Sequence, residues 1–173
     1  MGDPKKPRKK YSTPRKLWQA DQLSRELYLV GKYGLRNKRE LWKAETELSR
    51  IRKHARRLLA EPIDERMEEE NRLLRSLSRK GIVGGSPVLD DVLGLTVENL
   101  LERRLQTIVK NKGLVSSIHT ARQAVSHGHI KVKDRRVTIP GYLVRVEEEP
   151  TVRVKEGSTL ANLKVEVPAV QGE

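Results

Sequence analysis

The side chains that could do chemistry in this sequence are predominantly cationic. Lys and Arg number 36 against 23 Asp and Glu, so the formal net charge is +13. Positive charge of this size favours a polyanionic partner, because Lys and Arg pair with phosphate groups. The cations concentrate in residues 1–60 and 101–145, whereas residues 61–100 and 146–173 carry net negative charge. The two basic blocks are therefore the candidate nucleic-acid surfaces.

Catalytic and metal-binding chemistry finds few suitable residues. The absence of cysteine excludes disulfides, zinc knuckles and thiol catalysis. His127 and His129 lack nearby carboxylates to complete a metal site, and the consecutive Glu68, Glu69 and Glu70 point in different directions on a helix. Neither a Gly-rich phosphate loop nor a nucleophile elbow is visible. We predict no enzyme activity, no cofactor and no metal.

The mode of nucleic-acid binding is constrained by the aromatic content. Phe is absent and aromatic residues make up 3% of the chain, so stacking platforms are few and phosphate and shape recognition are favoured. A membrane is not expected as a partner, because no apolar run approaches the roughly 20 residues of a spanning helix. The N-terminus also lacks the apolar segment of a signal peptide. We expect a cytoplasmic protein.

The elements that must position the cations begin with an extended basic arm. Residues 1–13 combine prolines and lysines without an apolar face, so the arm is expected to order only against a partner. Leu23, Leu27 and Val30 then recur at helical spacing on one predicted inner face. Gly34 is placed to end that helix.

Two further helices are predicted before the first long loop. Asn37 and Glu40 resemble a capping pair, and apolar residues then recur every three or four positions up to Pro62. The next helix is predicted from about residue 63 to 80, with Gly81 as its stop. Its inward positions are expected to be Ile63, Met67, Leu74 and Leu77.

The second half of the chain predicts a pair of helices joined by a short turn. Thr96 can cap a helix in which Val97, Leu101, Leu105 and Ile108 share one face, and Gly113 closes it. A shorter helix follows, capped by Ser116 and stopped by Gly128, with Ile118, Ala121 and Val125 inward. Two helices around a Gly-containing turn form a helix-turn-helix-like pair.

After Gly128 the apolar period drops to two, which is typical of strands. Ile130 and Val132, then Val137 and Ile139, alternate with polar residues and predict a β-hairpin that turns at Asp134 and Arg135. Further short strands are predicted at residues 143–146, 152–154 and 163–167. The predicted fold class is α+β: a basic arm and an α-helical region, then the helix-turn-helix-like pair and a small antiparallel β-sheet.

Residues 100–144 carry a family likeness. The segment LLERRLQTIVKNKGLVSSIHTARQAVSHGHIKVKDRRVTIPGYLV resembles the S-four RNA-binding domain over its full length, including the ERRLQT helix, the SHGHI turn and the V-x-I-P-x-Y-x-V ending. Residues 33–42 (YGLRNKRELW) and 89–107 resemble the archaeal and eukaryotic ribosomal members of the S-four family. The chain departs from the family at Lys133-Asp134, where Asn-Gly is frequent, and at Gly141, where Ser is common.

The resemblance implies a structural protein of the small ribosomal subunit. Members bind the 5′ domain of small-subunit rRNA at a helical junction early in assembly, and lie at the mRNA entrance beside the fifth small-subunit protein. Neighbouring ribosomal proteins and mRNA are thus implied as further partners, and the cytoplasmic small subunit as the location.

Two alternatives stay open at this point. An RNA-modifying enzyme can carry an S-four-like accessory domain, but it would need a larger catalytic domain than the remaining residues supply. A free S-four-domain RNA chaperone or regulator is the other alternative, against which the ribosome-type N-terminal half argues.

The predicted organisation is an arm over residues 1–13, a helical region over 14–95, an S-four-like RNA-binding domain over 96–150, and short strands with a tail over 151–173. Arg103, Gln106 and Lys110 are expected to project outward, whereas Arg104 lies at the edge of the apolar face, where packing or an internal ion pair is an alternative to RNA contact. The predicted RNA-binding residues are cations and polar neighbours: Lys9, Lys10, Arg15, Arg36, Lys38, Arg39, Arg52, Lys53, Arg56, Arg57, Arg103, Arg104, Gln106, Lys110, Lys112, Ser116, His119, Arg122, Gln123, Ser126, His127, His129, Lys131, Lys133, Arg135 and Arg136.

Overall fold

The structure is a computed structural model and describes residues 9–16, 18–85 and 87–158. Helices occupy most of this part of the chain, and a small sheet follows them, which confirms the predicted α+β class. The helices are α1 (Ala20–Lys32), α2 (Lys38–Ala60), α3 (Ile63–Arg79), α4 (Leu89–Gly94), α5 (Val97–Glu102), α6 (Leu105–Asn111) and α7 (Ile118–Ser126). The strands are β1 (Ile130–Val132), β2 (Arg135–Arg136) and β3 (Arg153–Val154), with a 3-10 helix (Glu149–Thr151) before β3.

Helix α2 is the centre of the helical region and packs against α1, α3, α4 and α5. Its start is fixed as predicted, because the Asn37 side chain accepts a hydrogen bond from the Glu40 amide at 3.2 Å. Leu48 and Leu58 of α2 form one core cluster with Leu77 of α3 and Val92 of α4. The carboxylate of Glu40 does not return to the cap but pairs with Arg104 and Arg122.

The predicted inner face of α3 is correct only in its second half. Leu77 is buried and Leu74 is half-buried, but Ile63 and Met67 are 64% and 56% exposed. Apart from Ala55 on α2, the remaining buried members of this core cluster lie between Ile82 and Leu100. They cover the carboxyl-terminal half of α3 and leave Ile63 and Met67, in its first turns, exposed.

The inner face of α1 also differs from the prediction. Leu27 is 60% exposed, whereas Glu26 is buried. The Glu26 carboxylate accepts a hydrogen bond from Trp42 Nε1 at 3.2 Å and pairs with Lys38 at 3.1 Å. Because these α2 side chains satisfy the carboxylate, Glu26 occupies the α1–α2 contact and turns Leu27 towards solvent.

The long helix predicted from Thr96 to Gly113 is interrupted. Helix α5 ends at Glu102, and α6 begins at Leu105. Between them the backbone pairs with residues 142–144: the Leu105 amide donates to the Tyr142 carbonyl at 2.8 Å, and the Val144 amide donates to the Arg103 carbonyl at 3.0 Å. The backbone hydrogen bonds of this segment therefore go across to another segment instead of along one helix.

The carboxyl-terminal sheet has the strand order β2-β1-β3 and is antiparallel throughout. Strand β2 ends at Arg136, but the Val137 amide still donates to the Ile130 carbonyl of β1 at 3.3 Å, so of the two predicted positions only the exposed Ile139 lies beyond the hairpin. Of the other predicted strands, 152–154 corresponds to β3, and the 143–146 segment contributes a single bridge between Leu143 and Arg104. The strand predicted at 163–167 lies outside the described residues.

Single residues fix the hairpin turn and the start of helix α7. Lys133 stands at the hairpin tip with a φ of +55°. Helix α7 is capped by Ser117, whose hydroxyl accepts from the Thr120 amide at 3.1 Å, and not by the predicted Ser116.

The core beneath these elements is formed by apolar side chains of α6, α7, β1 and the 144–152 segment. None of the described helices is long and apolar enough to span a membrane.

Candidate nucleic-acid interface

Helix α7 presents a polar stripe to solvent. Its inner side is formed by Ala121, Ala124 and Val125, all fully or nearly fully buried. Positions three and four residues apart share a face of a helix, so the polar residues of the opposite side line up. The exposed stripe consists of His119, Gln123, Ser126 and His127, as the sequence predicts.

The outer face of the sheet carries a row of cations. Lys131 lies between the buried Ile130 and Val132 and therefore points away from the core. Its cross-strand partners are Arg136 on β2 and Arg153 on β3. Directly opposite residues of antiparallel strands share a face, and like charges placed so are destabilising unless an anion lies near them. Arg153 is partly compensated by Asp134, whose Oδ1 lies 3.0 Å from its Nη2.

Arg153 is absent from the sequence-based set. The signal was available in the predicted strand 152–154, because Val152 is buried and alternation then places Arg153 outside. The cross-strand register, which puts Arg153 beside Lys131, is a property of the folded sheet.

Arg136 joins the stripe on α7 to the row on the sheet. A Cβ added to Gly128 would lie 2.7 Å from Arg136 Cδ, so the Arg136 side chain lies directly on the backbone that follows α7. Gly128 has a φ of +77°, a conformation that favours glycine. We call the combined area the recognition surface, and it comprises His119, Gln123, Ser126, His127, Lys131, Arg136 and Arg153.

The two histidines that flank Gly128 do not form a metal site. The His127 and His129 rings are stacked with centroids 6.2 Å apart, and His129 Nδ1 lies 2.9 Å from Ser158 Oγ. Within residues 9–158, apart from the undescribed positions 17 and 86, no group of three or more His, Cys, Asp or Glu side chains could hold a metal ion.

Arg104 and Arg122 lie in the interior and share one carboxylate. Arg104 is 8% exposed, and its Nη2 lies 2.7 Å from Glu40 Oε2; Arg122 Nη2 lies 2.7 Å from Glu40 Oε1. Burial alone raises the pKa of Glu40, but the hydrogen bonds from Arg122 and Arg104 outweigh it and leave the pKa below its ordinary value. For Arg104 the structure thus selects the internal ion pair, and both arginines bind α2 to the S-four-like region.

Gln106 was expected to project outward and is instead fully buried. Its Nε2 donates to the carbonyls of Gly34 and Ile118, each at 3.0 Å. The reason is the interruption before Leu105, which changes the phase of α6 relative to a continuous helix. Gln106 therefore joins the α1–α2 turn to the start of α7.

Arg103 was also expected outward, but its side chain is only 15% exposed. Its Nη1 lies 2.7 Å from Glu149 Oε2, its Nε donates to the Lys80 carbonyl at 3.0 Å, and its Nη2 donates to the Val144 carbonyl at 3.1 Å. Arg103 connects three segments of the chain. Lys110, by contrast, is exposed as predicted, and the exposed Lys112 donates to the Glu149 carbonyl.

The predicted cations of the helical region divide in the same way. Lys38 pairs with the buried Glu26, and Arg52 donates to the Leu95 carbonyl, so both are largely internal. Arg57 is exposed but pairs with Glu61 and Glu69. The others are exposed: Lys9, Lys10, Arg15, Arg36, Arg39, Lys53 and Arg56.

The remaining predicted positions, Ser116, His129, Lys133 and Arg135, lie next to α7 or in the hairpin. Lys133 lies at the hairpin tip with Nζ 3.9 Å from Glu148. Ser116 and Arg135 are exposed, and His129 is half-buried.

Comparisons with known proteins agree on one family for both halves of the chain. Residues 5–102 match the model of the ribosomal protein S4/S9 N-terminal domain, and residues 103–150 match the S4 domain. The small ribosomal subunit protein uS4 of Ignicoccus hospitalis is 55% identical over 152 residues, which cover 88% of this chain and 92% of the relative. That of Hyperthermus butylicus is 51% identical over 173 residues, covering 100% of this chain and 98% of the relative. That of Thermoplasma acidophilum is 48% identical over 166 residues, 94% of this chain and 83% of the relative.

Proposed function

Because this chain belongs to the family of the small ribosomal subunit protein uS4, we propose that it binds small-subunit rRNA through the recognition surface as a structural part of the subunit. The family is one of ribosomal structural proteins and not of enzymes, in agreement with the sequence-based prediction. The observation that carries the proposal is the row Arg136–Lys131–Arg153 across the outer face of the sheet.

The recognition surface suits a folded RNA because its charges are fixed before binding. Lys131 and Arg136 lie on a paired hairpin, and Arg136 is further held on Gly128. Contacts that need no ordering on binding lose less conformational entropy than contacts from a flexible segment. Cations supply phosphate affinity, and the imidazole, amide and hydroxyl groups of α7 supply hydrogen bonds to sugars and base edges.

The finer assignment follows the family resemblance. The RNA partner is the 5′ domain of small-subunit rRNA at a helical junction, bound early in assembly of the subunit body. Neighbouring ribosomal proteins, notably the fifth small-subunit protein, and mRNA at its entrance are the further partners. The location is the cytoplasmic small subunit.

The test is a double variant of the cation row, Lys131→Gln with Arg136→Gln. Each lost phosphate contact is expected to lower the slope of log affinity against log salt by about 1. The variant should therefore bind a 5′-domain rRNA fragment more weakly and with a slope reduced by about 1–2. Binding is measured by fluorescence anisotropy at several salt concentrations.

The matched control removes one Lys and one Arg elsewhere. Lys16→Gln with Arg25→Gln changes the same charge at exposed positions on and before α1. Circular dichroism confirms that both variants fold. Equal affinity and slope for the wild type and the cation-row variant would show that the recognition surface does not bind the RNA.

A free RNA chaperone or regulator that uses the same surface is the competing function. It would bind RNA equally well in the anisotropy assay. Co-sedimentation with small subunits after a high-salt wash separates the two functions, since only a structural component stays bound.

A further inference from the structure

A second cationic site lies on α3, away from the recognition surface. A concavity of about 290 Å³ is formed where the end of α3 meets the segment after Val144. No carboxylate is among the described residues that line it. Its lining consists of Arg72, Arg75, Ser76, Arg79, Lys80 and Arg145, which we call the α3 cation site.

The backbone that carries this site is held by hydrogen bonds from three directions. The Val146 amide donates to the Arg79 carbonyl at 3.0 Å, which ties the two walls together. Arg103 donates to the Lys80 carbonyl at 3.0 Å and to the Val144 carbonyl at 3.1 Å. Arg103, predicted as an RNA contact, thus fixes the backbone on either side of the α3 cation site.

The charges of the site are poorly compensated within the protein. Arg75, Arg79 and Lys80 form no ion pair with any residue of the described part of the chain, and the carboxylates of Glu147 and Glu149 lie in an adjacent cavity that Arg75 and Arg79 also line. Arg72 pairs with Glu68, but these side chains are 72% and 78% exposed, and such surface pairs contribute little. Several cations held close together without a counter-charge repel one another, so an anion is expected to bind between them.

We propose that the α3 cation site binds the phosphodiester backbone of structured RNA, as a contact separate from the recognition surface. The proposal rests on the proposed function in one respect, namely that the chain has an RNA partner. Guanidinium groups form paired hydrogen bonds with phosphate oxygens, and three or more converge here. The contact is expected to add affinity without sequence preference, because phosphates carry no sequence information.

RNA is favoured over an acidic protein by the surroundings of the site. Arg72 also lines the neighbouring groove between α2 and α3, together with Arg50, Lys53, Arg56 and Arg57, and the same groove contains Glu69, which pairs with Arg57. The cations therefore form a continuous band over two helices, as long backbones of evenly spaced phosphates require. Protein interfaces instead need an apolar core with few charges at its centre.

The experiment compares the double variant that combines Arg75→Gln and Arg79→Gln, called the α3 variant, with the wild-type full chain. Affinity for the 5′-domain rRNA fragment and for an unrelated structured RNA is measured by anisotropy between low and moderate salt. Both affinities should fall by a similar factor, on the order of tenfold at about 0.1 M salt, and the salt slope should fall by about 1–2. Arg75→Lys with Arg79→Lys should retain the slope, since the charge is kept.

The cation-row variant is measured in parallel, so that the two proposals can fail separately. If the α3 variant keeps the wild-type affinity and slope while the cation-row variant loses them, the α3 cation site does not contact RNA and the proposed function stands. If the α3 variant loses only its binding to a poly-glutamate peptide, the occupant is an acidic protein and the RNA assignment is wrong. Lys16→Gln with Arg25→Gln again controls for the loss of total charge.

Discussion

At the scale of single residues, the arginines of this protein have two distinct roles. Arg103, Arg104 and Arg122 are turned inward and paired with Glu149 or Glu40. Arg136 and Arg153 are turned outward on the sheet. A buried charge is tolerated only with a counter-charge and satisfied hydrogen bonds. The position of an acidic partner thus decides which arginines are held inside the fold and which stay at its surface.

A substitution of Glu40 tests whether the inward ion pairs with Arg104 and Arg122 stabilise the fold. Glu40→Gln removes the charge that compensates Arg104 and Arg122 but keeps the shape of the side chain. Each charge-assisted hydrogen bond contributes about 1.5–3 kcal/mol, so we expect the free energy of unfolding to fall by roughly 2–3 kcal/mol. Urea denaturation followed by circular dichroism measures it. Glu47→Gln, on the same helix and without an ion pair in the described part of the chain, should change it little.

The pH dependence of the free energy of unfolding, compared between the wild type and Glu40→Gln, is a second test of this ion pair. The pKa of Glu40 lies below its ordinary value of 4.5 in the folded protein. A carboxylate with a lowered pKa stabilises the fold fully above its unfolded pKa, and the contribution is lost as the pH falls through the folded pKa. The difference in stability between wild type and Glu40→Gln should therefore be constant near neutral pH and shrink below about pH 4.5. A difference that persists unchanged in acid would contradict the ion pair.

At the scale of elements, the interruption between α5 and α6 has the largest consequence. The apolar spacing from Val97 to Ile108 is compatible with one helix, yet the backbone at residues 103–105 pairs with residues 142–144. The pairing turns Arg103 and Gln106 inward, where they bind backbone carbonyls of other segments. The S4 domain is thereby attached to the helical region through side chains that a continuous helix would expose.

Gly34 tests how closely these elements approach one another. A Cβ at Gly34 would lie 2.9 Å from Gln106 Nε2 and 3.0 Å from Ile118, and the residue has a φ of +56°. Gly85 has a φ of +66° with nothing within 4 Å, so Gly85→Ala measures the backbone strain alone. We expect Gly34→Ala to be more destabilising by about 1–3 kcal/mol, the usual cost of overpacking. Thermal unfolding of both variants makes the comparison, and equal losses would mean that the contact can relax.

At the scale of the whole molecule, the net charge of +13 is separated into different surfaces. One is the recognition surface on α7 and the sheet, and another is the band over α2 and α3 that includes the α3 cation site. Glu40 and Glu149 compensate inward arginines, whereas other carboxylates, such as Glu69 and Glu98, pair with exposed cations. The inward arginines are therefore neutralised by carboxylates within the fold, and the exposed cations remain available to a polyanion.

The two surfaces should contribute independently to RNA binding. A variant that combines Lys131→Gln, Arg136→Gln, Arg75→Gln and Arg79→Gln should show the sum of the two losses in binding free energy, because separated sites without shared partners usually add within about 0.5 kcal/mol. Anisotropy titrations of the two double variants and the combined variant measure this. A combined loss no larger than that of either double variant would mean that the surfaces do not act on the same RNA together.

Much of the fold and of the function followed from the sequence alone, since local patterns encode them. The Asn37 cap, the polar stripe of α7 and the outward position of Lys131 depend only on the spacing of residues a few positions apart. The class of partner was predicted from a different source, namely the family likeness of residues 100–144. The exposed Leu27, Ile63 and Met67 show the limit, because apolar spacing does not tell whether another element covers a face.

Only the tertiary structure decided which cations remain exposed and which are paired inside the fold. Arg103, Arg104 and Gln106 become internal through partners 12 to 73 residues away in the chain. Arg122 does so through Glu40, 82 residues away. Arg75 and Arg79 lie in a segment of net negative charge, yet they form a cationic site with Arg145 because folding sorts charges by helix face and by long-range contact. Net charge and periodicity are sums over neighbours in sequence, whereas an ion pair or a phosphate site depends on distances that only the folded chain sets.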